Sequence, residues 1–176
     1  MAEGKKSSSN KEAFIDNVIS VRRVTKVTKG GKRFSFSALV VSGDQQGRVG
    51  IALGKSRDVS SAIAKATMKA RKKMIEVPLR DTTIPYDVTG KHGASKVVIR
   101  SASKGTGLIA GGAVRSLMEV LGIKDVLAKS LGSANRQNVV KAALNALAKL
   151  RSADRFAKLR GKTVKEIVGV KDAAVR

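Results

Sequence analysis

Val24-Thr25-Lys26-Val27-Thr28-Lys29-Gly30-Gly31-Lys32-Arg33-Phe34-Ser35-Phe36-Ser37-Ala38-Leu39 contains two extended segments and the turn between them. From Val18 to Thr28 the residues are mostly valine, threonine and base, which suits a long strand, and the adjacent Arg22 and Arg23 break its alternation as a bulge would. The paired Gly30 and Gly31 tolerate the positive φ of a tight hairpin. Beyond them Phe34, Phe36, Ala38 and Val40 alternate with Ser35, Ser37, Leu39 and Val41. Gly43-Asp44-Gln45-Gln46-Gly47 then closes a second turn before Arg48 to Leu53, so three consecutive antiparallel strands are predicted.

Asp58 stands where it can cap a helix in which Val59, Ala62, Ile63, Ala66, Ala70, Met74 and Val77 recur at helical spacing, and Pro78 ends it. Pro78, Pro85, Gly90 and Gly93 mark the stretch that follows as a boundary. A second unit reads as a strand over Lys96 to Ser101, a glycine-rich loop over Gly105 to Gly112, a helix over Ala113 to Leu121 and a short strand over Val126 to Lys129. Asn135 or Asn138 opens a further helix, since Val139, Val140, Ala143, Leu144, Leu147 and Leu150 form one apolar stripe. After Arg151 apolar residues thin out to a short helix or two. The predicted fold class is α+β with two domains. A disordered basic tail (1–13) precedes a three-stranded antiparallel domain with its helix (14–77), a linker (78–94), an α/β domain (95–168) and a disordered end (169–176).

Charge narrows the function. Among 176 residues, 36 Lys and Arg stand against 13 Asp and Glu, a formal net charge of +23. A surplus of this size disfavours the compact state and attracts polyanions, nucleic acid first. No run of about 18 apolar residues spans a bilayer, and Met1 to Glu12 lacks the apolar core of a signal peptide, so an intracellular protein without a membrane partner is expected. Cysteine is absent and His92 is the single histidine, which removes thiolate chemistry and clustered zinc ligands. Asp81 and Asp87 lack a partner base. No catalytic constellation emerges, and an enzyme, a cofactor, a small-molecule substrate and a homo-oligomer are not expected.

Between Asn17 and Arg57 lie nine cations, Arg22, Arg23, Lys26, Lys29, Lys32, Arg33, Arg48, Lys55 and Arg57, against one acid, Asp44. A solvated face ordinarily mixes signs, so this is read as a phosphate-contact surface. At the tip, Gly30 and Gly31 would let backbone N–H groups approach an RNA groove, although an ordinary charged turn fits the residues equally well. Phe34 and Phe36 share a strand face with Ala38 and Val40 and are read as core, in preference to base-stacking platforms. Gly105-Thr106-Gly107-Leu108-Ile109-Ala110, with Asp125 about 20 residues on, matches a dinucleotide fingerprint formally. Asp125 however precedes a strand where that fold needs the acid to end one, and the match is set aside. The loop, flanked by Lys104 and Arg115, either holds an RNA phosphate on the N–H groups of Gly105, Thr106 and Gly107 or serves close packing. At the next helix start one asparagine, Asn135 or Asn138, caps, and Arg136 is a candidate phosphate contact.

The first run quoted above, together with Gly47-Arg48-Val49-Gly50-Ile51-Ala52-Leu53-Gly54-Lys55, resembles the first domain of the bacterial-type fifth small-subunit ribosomal protein family. Ser103-Lys104-Gly105-Thr106-Gly107-Leu108-Ile109-Ala110-Gly111-Gly112 and Asn135-Arg136-Gln137-Asn138-Val139-Val140-Lys141-Ala142 resemble its second, and the likeness runs from about Phe14 to Val168. It implies a first domain similar to a double-stranded-RNA-binding fold and a second with a left-handed βαβ crossover. It also implies a cytoplasmic protein of the small ribosomal subunit that binds small-subunit rRNA where head meets body, with the hairpin near the spectinomycin site. Ribosomal proteins S-four and S-eight as neighbours and a part in decoding accuracy follow from the same resemblance. The cations alone also suit a free RNA-binding chaperone or a duplex-RNA-binding module.

Overall fold

The computed structural model describes residues 14–168; the two predicted tails, 1–13 and 169–176, lie outside the described residues. β1 (Ile15–Thr28), β2 (Gly31–Gly43) and β3 (Arg48–Ser56) form the antiparallel meander expected from the turn residues. The turn is Lys29–Gly30, and Gly31 follows at φ +146. The bulge falls between Val18 and Ser20, not at Arg22–Arg23. Its effect is to keep the arginines in register with Ser37 and Phe36.

Helix α1 (Val59–Lys72) covers one face of this sheet through Ala62, Ala66 and Ala70. It stops five residues short of Val77. Ile75–Glu76 instead pairs with Arg48 and Val49 as β4, and the Val77 N–H donates to the Gly47 carbonyl at 2.8 Å. Pairing partners supplied by β3 outweigh the helical period there. Asp58 occupies the N-cap position with its backbone only, without a side-chain capping bond.

The second sheet has the order β5 (Val88–His92), β6 (Ser95–Ser101), β8 (Val126–Gly132), β7 (Leu108–Ile109). β7 runs parallel to β8 across the crossover helix α2 (Gly112–Leu121), and the other pairs are antiparallel. Two parts of the sequence reading change here. The predicted linker (78–94) contains β5, because Val88 and Gly90 turn toward a helix that buries them. The glycine-rich loop contains β7. Helix α3 (Arg136–Leu147) packs on β5 and β6, and α4 (Ala153–Arg160) and α5 (Val164–Val168) follow.

Both units use a glycine to let a helix meet a strand closely. A Cβ on Gly54 would strike the Ala62 carbonyl oxygen, and one on Gly90 would strike the Ala142 carbonyl oxygen and lie 2.5 Å from the Ala146 nitrogen. The units also share one core. Leu39, Val41 and Val49 of the first sheet cluster with Leu117, Val120 and Leu121 of α2 and with Val97, Ile99 and Val140. Consequently Ala38 to Gly43 is buried on both faces, with Ala38 and Val40 under α1 and Leu39 and Val41 toward α2.

Gly90→Ala is expected to destabilise the chain by about 1–3 kcal/mol, as overpacking does in a closed core. Gly30→Ala, whose Cβ would meet nothing within 4 Å, is expected to stay within about 0.5 kcal/mol of the parent. Thermal melts of the two variants side by side read the difference.

Candidate nucleic-acid interface

Register places the hairpin cations on defined faces, since residues paired across strands share a side of the sheet. Arg22 pairs with Ser37, which pairs in turn with Lys55 on β3; further out Val24 pairs with Ser35 and Lys26 with Arg33. This face is therefore basic and hydroxylic toward the tip, while the same face two residues inward carries Leu39 opposite Leu53 and turns apolar. Arg22, Arg23, Lys26, Lys29, Lys32, Arg33, Lys55 and Arg57 are all exposed, as are Gly30 and Gly31. Lys26 directly opposite Arg33 is a like-charge pair, an arrangement that costs stability in the free chain.

The opposite face corrects one expectation. Phe36 packs beside Ala38, Val40, Ala62 and Ala66 as predicted, but Phe34 lies beyond the reach of α1 and is 48% exposed. The Arg23 guanidinium sits over its ring, 4.7 Å from the centroid. Such a cation–π contact holds the cation at the surface and shields the ring.

Arg48 is paired with the buried Asp44. Its Nε donates to Asp44 at 2.6 Å, and the Asp44 carboxylate also accepts the N–H groups of Gln46 (2.8 Å) and Arg48 (3.0 Å). Burial pushes the Asp44 carboxyl up, yet these donors and the Arg48 charge outweigh it and hold the group below its ordinary value. The turn so ordered donates from Gln45 N–H to the Val120 carbonyl (3.1 Å) and from Gly47 N–H to the Leu121 carbonyl (3.2 Å), at the end of α2.

In the second unit the glycine loop is closed on itself. Asp125 Oδ1 accepts the N–H groups of Gly105 and Gly107, each at 3.0 Å, and Oδ2 accepts the Thr82 hydroxyl at 2.6 Å. The Thr106 N–H and hydroxyl both donate to the Ser103 carbonyl. An internal carboxylate thus takes the donors that the sequence reading offered to phosphate, and Gly105 and Gly107 cannot use those N–H groups outward. The Thr82 hydroxyl and the Gly107 N–H outweigh burial and, with the Gly105 N–H and the Lys104 charge, hold the Asp125 carboxyl below its ordinary value. The formal fingerprint acid is a structural clasp. No sequence signal distinguished it, because Thr82 lies 43 residues away.

Of the other candidates, Lys104 is exposed, and Arg115 is exposed but paired with Glu119 at 3.2 Å. Asn135 is the cap, its side chain accepting from the Gln137 N–H at 3.1 Å. Arg136 reaches the Ile19 carbonyl at the β1 bulge at 3.4 Å, which sets it against the first sheet. All four belong to the second unit, and of them Arg136 reaches across to β1.

The Asp44 and Asp125 carboxyls, both lowered on folding, stabilise the chain at pH values above their ordinary 3.8, and this contribution is lost as pH falls through the lowered values. Thermal unfolding is expected to move to lower temperature as pH drops below about 4. Asp125→Asn is expected to melt lower than the parent near neutrality, with the gap narrowing in acid. A gap that stays constant with pH would place the depression elsewhere.

Comparison with known proteins agrees with the geometry. The family described as "Ribosomal protein S5, N-terminal domain" matches residues 14–78, and "Ribosomal protein S5, C-terminal domain" matches residues 90–160. A protein named "Small ribosomal subunit protein uS5" from Syntrophobacter fumaroxidans is 54% identical over 90% of this chain and 96% of its own length. Proteins of the same name from Lawsonia intracellularis (53%; 85% of this chain, 91% of its own) and Ruegeria pomeroyi (51%; 92% of this chain, 85% of its own) are similar throughout. With two α+β units matched in order and about half of all residues identical across their length, the chain belongs to the ribosomal protein S5 family.

Proposed function

We propose that the chain is a structural component of the small ribosomal subunit, acting in the cytoplasm as an rRNA-binding protein and carrying no enzymatic role. The observation that carries this reading is the basic face of the β1–β2 hairpin, where Arg22, Lys26, Arg33 and Lys55 face outward together with Ser35 and Ser37. A chain that sets Lys26 opposite Arg33 gives up stability unless a polyanion lies against the pair. The relatives at 51–54% identity are named as small-subunit proteins, which supports the assignment to that particle. In its finer form the proposal sets the protein on small-subunit rRNA at the junction of head and body, beside ribosomal proteins S-four and S-eight, with a contribution to decoding accuracy. Residues 14–77 are the RNA-facing unit and 95–168 the second. The stretch between them is anchored by Thr82 on Asp125 and by Asp87, which accepts the Ser101 N–H at 2.9 Å.

Replacing Lys26, Lys29, Lys32 and Arg33 together by alanine is expected to leave the fold intact, since all four are exposed. The log–log salt slope of binding to small-subunit rRNA should shrink by about 3, at roughly 0.7–0.9 per lost phosphate contact. An unchanged slope would move the contact surface away from the hairpin. Sedimentation of the parent protein apart from small subunits at moderate salt would overturn the ribosomal assignment itself.

A further inference from the structure

The basic lane does not end at the hairpin. Two residues inward from the Ser37–Lys55 pair, Leu39 and Leu53 form the floor of a groove of about 420 Å³, walled by Lys69, Lys72, Lys73 and Lys141. No acid lines the groove, and none of the four lysines has an ion-pair partner among the described residues. Three of them admit a local explanation. Lys69 and Lys72 lie in the last turn of α1 and Lys73 is its C-cap, where cations complement the helix dipole by about 0.3–1 kcal/mol each. Lysines beside β3, whose pairing with β4 covers only Arg48 and Val49, also guard an open strand edge. Neither explanation reaches Lys141. It sits in the middle of α3, half-buried, and is brought to the groove from the second unit.

We infer that this groove is a second RNA-contact site, which takes the phosphate backbone of an RNA strand continuing inward from the hairpin face. The inference rests on the rRNA-binding reading above and extends it to residues outside the hairpin. The distance suits a continuous track: from Arg33 to Leu39 is six strand residues, about 20 Å, with Arg22 and Lys55 between them on the same face. The four walls are lysines, compact point charges on long stems that meet phosphates without demanding a fixed planar geometry. The floor of two leucines offers no aromatic platform, so bases are not stacked there and the recognition is of backbone charge. An acidic protein segment laid along the β3 edge would meet the same cations, but Arg22 and Lys55, which stand on the same face between the Lys26–Arg33 pair and the groove, favour RNA.

The chain has no cysteine, so one introduced thiol is unique and can carry a tethered iron chelate that cleaves nearby RNA with hydroxyl radicals. Probes at Lys26→Cys and Lys141→Cys, in the full chain bound to small-subunit rRNA, are expected to cut neighbouring stretches of RNA. Cuts from position 26 with none from position 141 would overturn the groove assignment and leave the hairpin reading standing; silence from both would overturn the two together. As a second readout, Lys69, Lys72, Lys73 and Lys141 replaced together by glutamine should lower the salt slope by about 3 in addition to the hairpin effect. A variant that keeps the parental slope on bare rRNA but no longer enters the assembled subunit would assign the groove to a protein partner and overturn the inference.

Discussion

Helix α2 and the turn that caps it hold the two halves of the molecule together. An α-helix leaves its last carbonyls without intrahelical donors, and a buried end must find them elsewhere. For α2 the donors at Val120 and Leu121 come from Gln45 and Gly47, in the turn between β2 and β3 of the other sheet. That turn is rigid because Asp44 collects two backbone N–H groups and the Arg48 side chain. Gln45 itself adopts a positive φ of 58, and Gly122, at φ +94, passes so close to its carbonyl that a side chain would not fit. Each hydrogen bond contributes only about 0.5–1.5 kcal/mol. Their geometry nevertheless sets where Leu39, Val41 and Val49 meet Leu117, Val120 and Leu121, and that contact makes one core of two units.

A fixed core is what allows the hairpin to project. β1 and β2 run well beyond α1, so their outer halves bury little and present Arg22, Lys26 and Arg33 on one face and Lys32 with the arginine-covered Phe34 on the other. The outer hairpin is stabilised mainly by its own ladder, and cross-strand repulsion works against it. The burden is tolerable because the inner half of β2 is enclosed on both faces. Binding charge and fold stability are therefore separated along the same two strands. The second unit does the opposite with its glycine loop, whose amide donors are turned inward onto Asp125 and tie the preceding segment down through Thr82.

Much was legible in the sequence because its signals are local. Gly30-Gly31 and Gly43 to Gly47 mark turns by backbone freedom, the α1 and α3 stripes mark helices by period, and nine cations against one acid mark the basic face by composition. What depended on distant residues was not legible. Phe34 shares the pattern of Phe36 but lies past the end of a helix that only the fold places. Met74 and Val77 continue the α1 period, yet Arg48 and Val49 capture Ile75 and Glu76 between them as a strand. Arg48 counts as a free cation in the sequence and is spent on Asp44 in the fold.

By itself, then, the sequence determined the α+β class, the hairpin with its basic tip, the exclusion of thiol and clustered-histidine chemistry, and an attraction to polyanions, all of which follow from residue type and short-range spacing. Tertiary structure alone decided that the glycine loop closes on Asp125, that the hairpin face turns from basic to apolar at Leu39, and that Lys141 joins the α1 lysines around one groove. The physical reason is the same in each case: these features depend on pairing and packing between residues in different elements, from 14 positions apart for Leu39 and Leu53 to 43 for Thr82 and Asp125, beyond the reach of a local pattern.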